Sequence, residues 1–221
     1  MTDRPNALSR YLAEALGTCA LVFAGTGAIV IDDLTHQVTH VGVALTFGLV
    51  VMSLIYALGD VSGAHFNPAV TLGFWVARRF PGRAVAPYVV CQLAGALAAS
   101  FLLRAMFGVH AGLGATIPAG ADAQSLALEG VLTFFLMFVI LCVATGPREV
   151  GVMAGIAVGG VIGLEAMFAG PICGASMNPA RSIAPALAAG NVSHLWVYLV
   201  GPPLGAAAAV PCWRLTRGRL D

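Results

Sequence analysis

The residues best placed to do chemistry in this chain are amides and a guanidinium, not acids, bases or nucleophiles. Two Asn-Pro-Ala triplets, Asn67-Pro68-Ala69 and Asn178-Pro179-Ala180, lie 111 residues apart in a chain of 221. The first follows Ser62-Gly63-Ala64-His65-Phe66; the second follows Cys173-Gly174-Ala175-Ser176-Met177 and runs directly into Arg181. Asn is a favoured helix N-cap and Pro is favoured at the first helical position, so each triplet predicts a short helix approached by a glycine-containing loop. A helix start carries unpaired N–H donors and about half a positive charge, which attracts electron-rich groups and opposes cations. Two such starts in an apolar chain make a site for something small and polar within a membrane.

The elements that must hold this pair are apolar. Hydrophobic residues make up 59% of the chain and charged residues 10%, with a mean hydropathy of +0.90; a soluble domain carries about a quarter charged residues. The net charge of +1 argues against nucleic acid as a partner. All five cysteines lie in apolar stretches and read as small core residues. The sequence holds no nucleophile–base set, metal cluster or phosphate loop, so neither an enzyme nor a cofactor is expected. No cleavable signal peptide is expected either, because the first apolar run leads straight into further spans.

A crossing helix needs about 20 mostly apolar residues. Charge-free runs place crossings at Ala15–Ile31 (beginning nearer Leu8), Val41–Gly59, Ala84–Leu103, Gly130–Thr145, Val150 to about Ala169, and Leu195–Trp213. The runs after Asn67 and from Asn178 to about Ala188 are too short to cross and should dip in and return. Six crossings put both termini on one side. With them inside, Arg4, Arg10, Arg78, Arg79, Arg83, Arg148, Arg214, Arg217 and Arg219 are cytoplasmic, Arg104 is outside and Arg181 lies within the membrane. Three crossings per half give the halves opposite topology, an inverted repeat spanning about residues 8–107 and 124–214 within one domain, 1–221. Other pairs support the repeat: Glu14 with Thr18 against Glu129 with Thr133, and Tyr88 with Gly95-Ala96 against Tyr198 with Gly205-Ala206. Small residues at those places permit close helix contact.

Across essentially its whole length the chain resembles the aquaporin, or major intrinsic protein, family. The two Asn-Pro-Ala motifs, Arg181 after the second, the glutamates Glu14 and Glu129 and the halfway repeat carry the likeness, and the second motif is most similar to the Nod26-like branch. The resemblance implies an all-α membrane protein with six transmembrane helices and two re-entrant half-helices. It implies a homotetramer in the lipid bilayer with one pore per subunit, passing water and small neutral solutes passively. Glycerol, urea, ammonia and metalloid acids such as arsenite or boric acid are the solutes associated with that branch. The absence of Lys beside eleven Arg suggests a GC-rich bacterial genome, hence the inner (plasma) membrane.

By the same resemblance, Asn67 and Asn178 donate to a passing oxygen while the half-helix dipoles repel cations. Arg181 belongs to the outer constriction; an unpaired Arg in a membrane is a functional candidate in any case. Counting back from the triplets places the other constriction residues at Phe47, Ala166 and Ala175. Water-selective members usually carry His where Ala166 stands, so Phe47 with two alanines leaves a slot for a small polyol, unless Met167 or Phe168 refills it. Glu14 and Glu129 read as buried acceptors that hold the loop backbones. His65 is a candidate inner pore lining, and Cys173 a candidate for mercurial block. Asp60 and Glu165 depart from the family pattern: Asp60 faces the inner mouth or solvent, and Glu165 faces the outer vestibule or bonds within the wall. Three rivals remain at this stage: a water-selective channel, a proton-coupled transporter relaying through Glu14, Glu129 and Glu165, and a structural junction protein.

Overall fold

The computed structural model describes residues 5–146 and 151–218. Six long helices, each long and apolar enough to cross a membrane, are α1 (Ala7–Thr35), α2 (Thr39–Ser62), α4 (Val85–Phe107), α5 (Asp122–Ala144), α6 (Ala154–Cys173) and α8 (Leu195–Thr216). Two shorter α-helices follow the Asn-Pro motifs, α3 (Pro68–Val76) and α7 (Pro179–Ala189). Arg4, Arg148 and Arg219, and the expected start of the fifth span at Val150, lie outside the described residues.

The spans run further than the charge-free runs suggested, because the charges are accommodated. The fourth begins at Asp122, eight residues before Gly130. Asp122 sits in the first turn of α5, where the helix dipole favours an acid. Its carboxylate also accepts hydrogen bonds from His194 Nδ1 at 2.7 Å and Trp196 Nε1 at 3.0 Å, tying the start of α5 to the start of α8. Likewise α1 starts at Ala7, capped by Asn6, whose side chain accepts from the Ser9 backbone N–H at 2.8 Å. The fifth span continues past Ala169 to Cys173, through an internal Pro171.

The packing repeats with the sequence. α1 lies against α4 as α5 lies against α8, and α2 pairs with α6 across the centre. Glycine sets the closest approaches: a Cβ on Gly95 would lie 2.0 Å from the Ala15 carbonyl oxygen, and one on Gly205 would lie 2.1 Å from the Gly130 carbonyl oxygen. Contact this tight suits helices that must pack without a hydrophobic drive between them. Each short helix packs on the last long helix of the opposite half, α3 on α8 and α7 on α4. Two arginines seal that exchange. Arg104 of α4 donates to the Ala188 carbonyl at 2.5 Å, and Arg214 of α8 donates to the Val76 carbonyl at 3.5 Å, each at the C-terminal end of the other half's short helix.

Candidate functional site: the conduction pathway

The two short helices start at the middle of the bundle and point their N-termini at each other. Asn67 and Asn178 cap them: Asn67 Oδ1 accepts from Ala69 N at 2.8 Å, and Asn178 Oδ1 accepts from Ala180 N at 3.0 Å and Arg181 N at 3.3 Å, with Pro68 and Pro179 at the first helical positions. Each amide also crosses to the other half. Asn67 Nδ2 donates to the Met177 carbonyl at 2.7 Å and Asn178 Nδ2 to the Phe66 carbonyl at 2.9 Å. A carboxamide has two N–H groups, so one on each Asn is without a partner among the described residues.

The loops leading into these caps have unusual backbone. Gly63, Ala64 and Phe66 have φ of 88°, 52° and 49°, and Gly174, Ala175 and Met177 repeat the pattern at 81°, 40° and 52°. A left-handed non-glycine residue costs on the order of 1–2 kcal/mol, so the surroundings must impose it. The two glutamates do so. Glu14 accepts from the backbone N–H groups of His65 (3.0 Å) and Phe66 (2.8 Å), and also from Ser62 Oγ and Gln92 Nε2, both at 2.7 Å. Glu129 accepts from Ser176 N at 2.7 Å and Met177 N at 2.8 Å. The tyrosines finish the job: Tyr88 Oη donates to the Ser62 carbonyl and Tyr198 Oη to the Cys173 carbonyl, each at 2.8 Å.

Three cavities lie along one path. A narrow lumen of about 50 Å³ is lined by both Asn caps, both loops and apolar residues of the long helices, including Leu21, Val51 and Ile140. An outer vestibule of about 450 Å³ carries Asp32, His40 and Thr116, and an inner one of about 600 Å³ carries Asp60, Arg79 and Phe80. One water needs about 10–15 Å³ of such space, so the lumen admits only a short file. The residues common to the lumen and the outer vestibule are Phe47, Ala166, Ala175 and Arg181. His65 is common to the lumen and the inner vestibule. Its ring is packed by Phe74 (4.7 Å between centroids), Phe80 (4.8 Å) and Tyr88 (5.3 Å), and its Nδ1 lies 3.0 Å from Thr71 Oγ1.

Arg181 is 3% exposed and held on two sides. It donates to the Gly114 carbonyl at 2.7 Å, and its guanidinium carbon lies 4.9 Å from the Phe47 ring centroid, a cation–π distance. Gly114 belongs to the connection between the halves, residues 108–121. That connection folds over the outer mouth: Thr116 Oγ1 donates to Ser182 Oγ at 2.8 Å, and Ala119 N donates to the Ile172 carbonyl at 2.9 Å. Met167 and Phe168, the residues that could have refilled the slot beside Ala166, are 38% and 61% exposed and line neither the lumen nor a vestibule.

Glu165 is 2% exposed, lines none of the three cavities, and its Oε2 has no hydrogen-bond partner among the described residues. It therefore sits in the wall and not in the outer vestibule. Glu14 and Glu129 also stay out of the lumen lining, with their oxygens taken by loop donors. A proton relay through these three acids finds no water-lined path among these cavities. Sequence reasoning passed over Gln92, Thr116, Ser182, Gly114 and the two sealing arginines. A search of the repeat for positions 110 or 111 apart would have paired Arg104 with Arg214 and Thr71 with Ser182.

A narrow lumen between two polar helix starts, flanked by wide mouths and enclosed by six membrane-length helices, defines a membrane channel. The chain belongs to the major intrinsic protein family, whose match covers residues 1–213. It is a channel for water and small solutes and not an enzyme. It is 56% identical over 218 residues to aquaporin NIP1-4 of Oryza sativa subsp. japonica, covering 97% of this chain and 80% of that one. Nodulin-26 of Glycine max is 45% identical over 212 residues, 95% of this chain and 78% of that protein. In three dimensions the chain is similar to the X-ray structure of the aquaglyceroporin from Plasmodium falciparum, with a TM-score of 0.82 at 24% identity over 94% of this chain and 96% of that one. The fold expected from the sequence, six crossings and two re-entrant half-helices, stands.

Proposed function

We propose that the channel passes small uncharged solutes such as glycerol and urea together with water, and metalloid acids of similar size, while excluding protons and ions. The observation that supports this reading is the composition of the ring between lumen and outer vestibule. Two alanines, Ala166 and Ala175, face an aromatic wall, Phe47, and a donor, Arg181. A polyol offers carbons on one side and hydroxyls on the other, and the ring offers a surface for each. Asn67 and Asn178 then receive the solute oxygen with their free N–H groups, while Arg181 and the two helix starts oppose a cation.

Glu14 and Glu129 hold the loops in this scheme, and His65 lines the inner end. The whole chain, with its halves at about 8–107 and 124–214, acts as one pore. It sits in the plasma membrane with both termini in the cytoplasm, and four copies assemble as a homotetramer. Stopped-flow light scattering on proteoliposomes tests the solute reading. Fast shrinkage in an impermeant osmolyte and fast re-swelling in glycerol are expected. Glycerol no faster than in empty liposomes, with water still fast, would leave a water-selective channel.

A further inference from the structure

Pro171 lies inside α6, where it has no backbone N–H to donate. The carbonyl that loses its helical partner is four residues back, at Met167. His40, at the start of α2, fills that gap: its Nε2 lies 2.8 Å from the Met167 oxygen. A carbonyl can only accept, so Nε2 carries the hydrogen. Gly170 makes room for the ring, since a Cβ there would lie 2.8 Å from His40 Cε1. The bond joins the two helices that supply facing parts of the constriction, Phe47 on α2 and Ala166 on α6, and Met167 is the neighbour of Ala166. His40, Gly170 and Pro171 line the outer vestibule just beyond it.

We propose that His40 is a positioning residue for the constriction. By supplying the hydrogen bond that Pro171 removes from α6, it fixes the Ala166 wall against the Phe47 wall and so sets the fit of a solute wider than water. A proline within a membrane helix frees a carbonyl and loosens the turn before it; a partner from a neighbouring helix turns that loose point into a fixed one. Pro171 and His40 therefore act as one device, although 131 residues separate them. The solute part of this inference rests on the wide-constriction reading above; the hydrogen bond does not.

The test is a double-mutant cycle with His40→Phe, which keeps a ring but loses the N–H, His40→Gln, which keeps a donor, and Pro171→Ala, which returns the backbone N–H to Met167. In proteoliposomes, His40→Phe should lower the ratio of glycerol to water permeability about threefold, the size of one modest hydrogen bond. His40→Gln, and His40→Phe combined with Pro171→Ala, should return it towards wild type. Isotope-edited infrared spectroscopy of ¹³C-carbonyl methionine, assigned with a Met167→Leu sample, reads the bond itself and needs no glycerol flux. The Met167 band should shift in His40→Phe and shift back in the double variant. An unshifted band, or a ratio that Pro171→Ala does not restore, overturns the proposal. A wild type impermeable to glycerol whose Met167 band still shifts in His40→Phe would refute the solute reading and leave the tie standing.

Discussion

The inner and outer re-entrant loops share one backbone and differ in how that backbone is held. Both turn through the same left-handed positions, end in an Asn cap and give two N–H groups to a buried glutamate. The inner loop is braced from within its own half: Ser62 and Gln92 add to Glu14, Gln92 reaches on to Thr71, and three aromatic rings enclose His65. On the outer loop the Cys173 thiol is the side chain that joins Glu129, and Thr116 and Gly114 of the connection between the halves brace the loop through Ser182 and Arg181. Its hydroxyls at Ser176 and Ser182 stand where the inner loop has His65 and Thr71. The two loops share their backbone geometry and differ at the pore, the outer one leaving room for a cation and small side chains where the inner one is filled with rings.

The largest effects should separate the two braces. Glu14→Ala strands the N–H groups of His65 and Phe66, each costing about 1–3 kcal/mol, and also unpairs Ser62 and Gln92. Glu129→Ala strands the N–H groups of Ser176 and Met177 and releases the Cys173 thiol, a weaker donor than Ser62 or Gln92. Thermal unfolding in detergent should therefore rank Glu14→Ala well below Glu129→Ala, with Glu14→Gln between Glu14→Ala and wild type. Equal losses would mean that the braces are equivalent despite their different composition.

Next in size is the constriction. Arg181→Ala removes the one guanidinium in the lumen lining. The repulsion lost at a few ångströms is about 1–4 kcal/mol, equivalent to about fivefold or more in cation leak. Potassium flux through proteoliposomes at zero osmotic gradient measures this, and tight liposomes would argue that the helix starts alone exclude cations. Ala166→His should lower glycerol permeability by about tenfold or more, on the scale of steric discrimination in tight pockets, while water flux persists. Gly25→Ala acts on the same ring from behind, because its Cβ would lie 2.1 Å from Phe47 Cε1. Displacement of Phe47 should change the glycerol-to-water ratio. Gly17→Ala, whose Cβ would lie 2.0 Å from Phe66 Cε1, presses on the inner loop and should lower stability first.

The fold was legible because its determinants are local and repeated. Proline after asparagine announces a helix start, long charge-free runs announce crossings, and an odd number of crossings per half fixes the inversion. Span ends were less legible: Asp122, Glu129 and Arg104 look like breaks until their partners, which lie far along the chain, are known. Of the site, the residues that the family resemblance placed by counting from the triplets line one lumen. Gly114 and His40 could not be found that way. The first presents a backbone carbonyl, which carries no side-chain signature, and the second meets Met167 only because Pro171 frees a carbonyl on another helix. Glu165 shows the opposite limit: its charge drew notice in an apolar span, yet it faces no cavity on the path.

The smallest predicted effect bears on the exchange of short helices between halves. Arg104 and Arg214 occupy equivalent places, 110 residues apart, and each donates to the last turn of the opposite short helix, where a cation also meets the negative end of the dipole. Their geometries differ. The Arg104 bond is short, at 2.5 Å, and half-buried; the Arg214 bond is 3.5 Å long and exposed. Arg104→Met should lower stability by about 0.5–1.5 kcal/mol, the net range for one hydrogen bond, because it strands the buried Ala188 carbonyl although the arginine itself is exposed. Arg214→Met should be close to neutral, as exposed contacts of that length usually are. Neither arginine is buried, Arg104 being exposed and Arg214 half-buried, so screening reaches both. The stability lost in Arg104→Met should therefore shrink as salt rises. If Arg214→Met proves the more harmful, the inner half-helix is the one that depends on its seal, and the outer loop's partnership with the connection between the halves is sufficient without Arg104.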